Sequence, residues 1–273
     1  MVAPLRREPQ SRGEIFLFIV AAKYGMIEMN DEREKKERTM ANTGMSTIRG
    51  GSGQNAGIRI LGVPLYAWIC FCAMLALQMT VFYATRIPLA HMTLRDMTIP
   101  LDHQIPFIPG WVTVYFAAYL SWLVSALWIL SEGKIHGYRF ACAYMLSLLI
   151  SAVVFLAYPG TMERPQLVGE GLLMDWMRFL YRVDSPTNLC PSLHVLISYF
   201  CWRGTMGCRR IPRWYRWFNF VFLILVCLSI LFVKQHALVD IPAAILIGEL
   251  ALQLAEIWRL ERIPFSIERI CTK

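Results

Sequence analysis

The sequence contains eight cysteines but no Cys-x-x-Cys pair, so it signals neither a zinc site nor a disulfide framework. Cys70, Cys72, Cys142, Cys201 and Cys227 fall inside apolar stretches, where cysteine behaves as a small hydrophobe. Basic residues interleaved with exposed aromatics are also missing, so the net charge of +8 is not read as a nucleic-acid footprint. No repeat relates the two halves, and Glu249 is the one charge at the centre of an apolar run. Both points weigh against a transporter with an outward-facing phosphate site.

Hydrophobicity is what the chain has in excess. Of its 273 residues, 56% are hydrophobic, and the mean hydropathy is +0.46; soluble domains usually run to about 45–50% apolar. The excess is gathered in six runs: Leu61–Thr85, Trp111–Leu130, Tyr138–Tyr158, Pro191–Cys208, Trp217–Val233 and His236–Trp258. A membrane span needs about 20 consecutive apolar residues. The expected fold is therefore an all-α integral membrane protein, a bundle of six transmembrane helices covering residues 59–260. The fourth and sixth runs carry polar residues at one end.

The basic residues set an orientation. Arg203, near the end of the fourth run, and Arg209, Arg210, Arg213 and Arg216, between the fourth and fifth, have no acid among them, and Arg259, Arg262, Arg269 and Lys273 follow the sixth. Short loops rich in Lys and Arg stay in the cytoplasm. Six spans put both termini on that side, with residues 261–273 as a short cytoplasmic tail. Residues 1–58 read as a flexible cytoplasmic region. "IFLFIVAA" (Ile15–Ala22) is too short to span and is marginal as a signal-peptide core. Asn30–Arg38 is a mixed-charge run and Arg49–Gly57 a flexible linker. The same pattern fits a chain that starts at Met29 or Met40.

This orientation brings three polar clusters to the outer face: "YPGTMERPQ" (Tyr158–Gln166), "NLCPSLHV" (Asn188–Val195) and "VKQHALVD" (Val233–Asp240). His236 and Asp240 are four residues apart. On a helix they share a face, and the carboxylate would fix the imidazole tautomer, leaving the other ring nitrogen as nucleophile or base; the plainer alternative is a pair that caps a helix end. Pro191 suits a first helical turn. Ser192 and the free amides of that turn would then form an anion site, with His194 beside it to handle a proton. Arg164 is a planar bidentate partner for phosphate, and Lys234 a second cation; alone, each reads equally as a snorkelling side chain. No metal-ligand cluster accompanies these residues, and no cofactor is expected.

The three clusters, in this order, resemble the signature segments of the type 2 phosphatidic acid phosphatase superfamily. Within it they look most like the branch of inositol phosphorylceramide synthase and its bacterial relatives. "PSLH" (Pro191–His194) matches the form P-S-x-H, and Ser229, His236 and Asp240 match S-R-x5-H-x3-D in spacing. Arg164–Pro165 matches the end of K-x6-R-P, and Asp184, Pro186 and Asn188 match a D-x-P-x-N preceding segment. Two departures stand out: Ile230 replaces the arginine of the third signature, and Ala157 replaces the lysine of the first. Lys234 is expected to supply the missing cation.

The resemblance implies a metal-independent enzyme in a bacterial cell membrane that acts on a lipid phosphate at the extracytoplasmic face. His236 would be the nucleophile, Asp240 its orienting carboxylate and His194 the proton donor and acceptor. Arg164, Ser192 and Lys234 would hold the phosphoryl oxygens. Release to water makes the enzyme a phosphatase; release to an alcohol makes it a phosphotransferase. Leu167–Val183 is amphipathic and would roof the site or lie flat among headgroups. The partners implied are the lipid phosphate and membrane lipids; the oligomeric state is not encoded in any feature of the sequence.

One prediction concerns orientation. A single cysteine placed beside Lys234 should react with a membrane-impermeant reagent added outside intact cells. Labelling only from the cytoplasmic side would reverse the assignment.

Overall fold

The computed structural model describes residues 58–271. The expectations for Ile15–Ala22, Asn30–Arg38 and Arg49–Gly57 lie outside the described residues. A short antiparallel pair, β1 (Arg59–Ile60) and β2 (Val63–Pro64), leads into α1 (Leu65–Leu89). There follow β3 (Arg95–Asp96), α2 (Val112–Leu130), α3 (Lys134–Ala157) and β4 (Gly160–Thr161), which pairs in parallel with β3. Then come α4 (Leu172–Val183), α5 (Leu193–Gly204), α6 (Arg213–Phe232), α7 (Asp240–Ile257) and α8 (Arg262–Cys271).

Among the described residues, four helical segments are long and apolar enough to cross a membrane: Leu65–Leu89, Pro109–Leu130, Lys134–Ala157 and Arg213–Phe232. A fifth is reached only by taking α7 and α8 together, across a bend of 58°. The helices are consistent with a multi-pass membrane protein; by length and composition they number four, or five with the bent pair, against the six expected. The fourth expected span is α5, with 12 residues. At 1.5 Å per residue it reaches only about 18 Å, short of the roughly 30 Å of hydrocarbon. It stops where "GTMG" begins, at Gly204, with Thr205 closing the last turn through its N–H to Trp202 O and Arg203 O.

So short a helix is stabilised by protein rather than lipid. α5 packs mainly on α6 and α7 and also touches α2 and α3. Val195, Leu196 and Phe200 are fully buried. Two glycines let neighbours come close: a Cβ at Gly204 would lie 2.7 Å from the Phe140 ring on α3, and one at Gly248 of α7 would lie 2.8 Å from the Tyr199 ring. Directly beside these contacts the span-centre charge finds its partners. Arg203 Nε and Nη2 donate to the two oxygens of Glu249 at 3.1 and 3.2 Å, and the Tyr199 hydroxyl donates at 2.6 Å.

The sixth run breaks at Arg259, whose φ is +51°. Leu260 N donates to Ala255 O and Arg259 N to Glu256 O, the paired bonds of a Schellman stop. The chain turns there into α8, which makes up most of the expected tail. It is fixed to the start of α3 by Lys134–Glu268 (2.8 Å) and Arg139–Glu261 (3.0 Å). The amphipathic segment becomes helical at Leu172 rather than Leu167. It buries Met177 and Leu180 and sets Trp176 and Phe179 against Phe116 of α2.

Gly248→Val should therefore lower stability by about 1–3 kcal/mol, the usual cost of overpacking. Gly110→Ala, where a Cβ meets nothing within 4 Å, should be close to neutral. Thermal denaturation of the two purified variants checks the contrast.

Candidate active site

The antiparallel run of the helices gathers the three polar clusters at one end of the bundle. The first device there is the stop of α6. Gln235 N donates to Ile230 O at 2.9 Å and Lys234 N to Leu231 O at 3.2 Å, again a Schellman arrangement. Its left-handed position, normally glycine, is Lys234 at φ +53°. The turn sends Lys234 one way and Gln235 and His236 the other. The Lys234 ammonium donates to Asp102 O and Ile105 O at 2.8 and 2.6 Å, and its burial against that loop lowers its pKa. In this arrangement it secures the loop between α1 and α2 and does not line the cavity described below.

His236 and Asp240 do meet, though not on one helix. α7 begins at Asp240, and the turn before it makes the contact. Asp240 Oδ2 accepts from Ala237 N at 3.0 Å and faces His236 Nδ1 at 3.0 Å. Nδ1 also lies 3.1 Å from Leu189 O. Both neighbours are acceptors, so Nδ1 carries the hydrogen and Nε2 the lone pair.

Ser192 is the N-cap of α5, its Oγ accepting from Val195 N at 3.4 Å. Pro191 stands one residue before the cap rather than in the first turn, which corrects that expectation. The amides of Leu193 and His194 are left without intrahelical acceptors, as at any helix start. His194 sits in an aromatic enclosure, its ring centroid 4.6 Å from Tyr115, 5.7 Å from Trp122 and 6.4 Å from Tyr119. The two imidazoles are 5.5 Å apart, edge to face. His194 Nδ1 is buried without a hydrogen-bond partner.

Arg164 ties the first cluster to the third and to the segment that precedes the second. Its guanidinium donates to Asp184 O at 2.7 Å and to Gln235 Oε1, and it stacks 4.4 Å over Tyr181. Burial lowers its pKa, with the Asp184 charge acting the other way. Asp184 Oδ2 in turn accepts from the Tyr115 hydroxyl at 3.0 Å.

These residues border a cavity of about 260 Å³ whose lining includes His194, His236, Gln235, Asp184, Asn188, Tyr119 and Trp122. Of the six expected residues, the two histidines line it directly. Asp240 and Arg164 touch residues that do, Ser192 caps the helix that carries His194, and Lys234 turns away. Sequence reasoning missed Gln235, Gln78 and the aromatic enclosure. Tyr115, Tyr119 and Trp122 do recur at helical spacing, but so do most core aromatics. Among the described residues, no group of three or more His, Cys, Asp or Glu is placed to hold a metal ion. Comparisons with protein-family models, with curated proteins and with solved structures found no match for this chain.

Lys234→Met should strand the carbonyls of Asp102 and Ile105 and cost about 1–3 kcal/mol of stability. Chemical denaturation of the purified variant measures it, and an unchanged midpoint would mean that the ammonium does not secure the loop.

Proposed function

We propose that this chain is a membrane-embedded phosphoesterase that removes phosphate from a lipid phosphate through a phosphohistidine. The observation that carries the reading is the histidine pair at the cavity wall, 5.5 Å apart, with Asp240 holding Nδ1 of one of them. His236 Nε2 attacks phosphorus as the bond to the lipid oxygen breaks. His194, which takes up a proton together with the anionic substrate, gives it to the departing alkoxide. Water then attacks the phosphohistidine, losing a proton to neutral His194, and the P–N bond breaks to free phosphate and His236. Asp240 stabilises the imidazolium character that grows on His236, and Arg164 and the start of α5 face the charge developing on the phosphoryl oxygens.

A lipid substrate is supported by a second, apolar cavity of about 110 Å³ lined by Phe71, Met74, Leu123, Phe140 and Phe200. It shares Gln78, Met79, Tyr119 and Trp122 with the first, which leaves a path for an acyl chain beside the histidines. In this reading α5 completes a six-segment bundle from within the protein, and the Arg203–Arg216 loop stays in the cytoplasm. The site then opens to the outer face of a bacterial cell membrane. A second reading, transfer of the phosphoryl group to an alcohol, differs only in the acceptor. Asn188 Oδ1, buried without a donor in the cavity wall, would accept from the hydroxyl of an alcohol as it would from water.

Phosphate release from a panel of lipid phosphates by the purified protein tests the proposal. Activity should survive chelation, since nucleophile and acid are both imidazoles, and vanadate should inhibit it. The two histidines should separate on an activated aryl phosphate, whose leaving group needs little protonation. There His194→Ala should recover most of a loss of about 10²–10⁴-fold, and His236→Ala should recover none. Equal turnover of the activated ester by both variants would refute the assigned roles.

A further inference from the structure

The third signature offers Ile230 where a cation is expected, and Lys234 is engaged elsewhere, so the phosphoryl group needs another donor on this side. Gln235 occupies the right place. It is 2% exposed, it lines the cavity together with both histidines, and its Nε2 has no hydrogen-bond partner. Its orientation follows from chemistry. Arg164 can only donate, so the amide oxygen must face the guanidinium and the NH₂ group must face away from it.

From this geometry we infer that Gln235 Nε2 donates to a phosphoryl oxygen, taking the place of the absent cation. The inference rests on the phosphohistidine reading above and deepens it. The bound anion would be met by a neutral amide, and the positive charge of Arg164 would act through it. A guanidinium donating to Oε1 polarises the amide and strengthens the N–H on the other side, as hydrogen bonds in series do. An unsatisfied, fully buried N–H carries a desolvation cost, which an anionic oxygen removes and an apolar ligand does not.

The alternative is that Gln235 only braces Arg164. A double-mutant cycle separates the two, read as kcat/KM on an activated aryl phosphate and as orthovanadate affinity. Gln235→Met should lower both by about 10- to 100-fold, the size of one hydrogen bond to a charged group, and should lower them again when introduced into Arg164→Ala. If the loss disappears in the Arg164→Ala background, Gln235 is a brace and the inference fails; it fails equally if Gln235→Met changes neither quantity. Should Gln235→Met not fold, Gln235→Glu takes its place, because it keeps an acceptor for Arg164 and removes the amide hydrogens. Retention of activity within about threefold by that variant would overturn the inference. Absence of both cleavage and vanadate binding in the unaltered protein would instead overturn the phosphohistidine reading, and this inference with it.

Discussion

The turn that closes α6 decides what the cavity contains. Four consecutive residues follow the stop, and each is assigned a side by it. Val233 caps the helix, Lys234 takes the left-handed position, and Gln235 and His236 fold back so that both of their amides bond to Ile230 O. A left-handed conformation costs a side-chain-bearing residue roughly 1–2 kcal/mol. Here it is offset by the two carbonyls that accept from the Lys234 ammonium. That turn brings His236 Nδ1 to Asp240 Oδ2 and Leu189 O together.

The same logic explains why α5 is short. Its N-terminus has to stop beside His236, and Ser192 N donating to Asp240 O at 3.4 Å fixes the start of one helix to the start of the other. Its far end is fixed at Arg203, which pairs with Glu249 of α7. Breaking one partner of such a pair inside a bundle strands the other charge, so both ends of α5 are held in register with α7. The glycines at 204 and 248 remove the side chains that would otherwise hold the three helices apart. His194 thus stands on a helix fixed at both ends by α7, and His236 stands on the turn that leads into α7 and is held there by Asp240.

The four strongly apolar segments were legible in the sequence because length and hydropathy suffice to define them. α5 was not, because a buried 12-residue helix and the middle of a span have the same composition. What separates them is Arg203, whose partner Glu249 lies 46 residues away. The convergence of the Arg164, His194 and His236 segments was legible from topology, since antiparallel helices return every second connection to the same end. The divergence of Lys234 from Gln235 was not. Hydropathy and motif spacing treat "KQH" as three polar residues in a row, and only the Schellman turn, reached through a lysine where glycine is usual, sends the cation to one side and the amide to the other.

The charge balance of the site follows from these placements. Among the described residues no carboxylate forms an ion pair with Arg164; its partners are a backbone carbonyl, an amide oxygen and the face of Tyr181. Such a guanidinium, buried enough that its pKa falls, carries a desolvation cost that neutral oxygens offset only in part. Asp184 sits close enough to act on it, yet its Oδ2 is occupied by the Tyr115 hydroxyl. The Arg164 charge therefore sits in a low-dielectric surround, where its attraction for an anion is stronger than in water, although the Asp184 carboxylate lines the same cavity. Under the proposed reading, an anion drawn there would come to rest beside His194 and the Nε2 lone pair of His236, so that the charge of Arg164 in the free site would help to position the substrate.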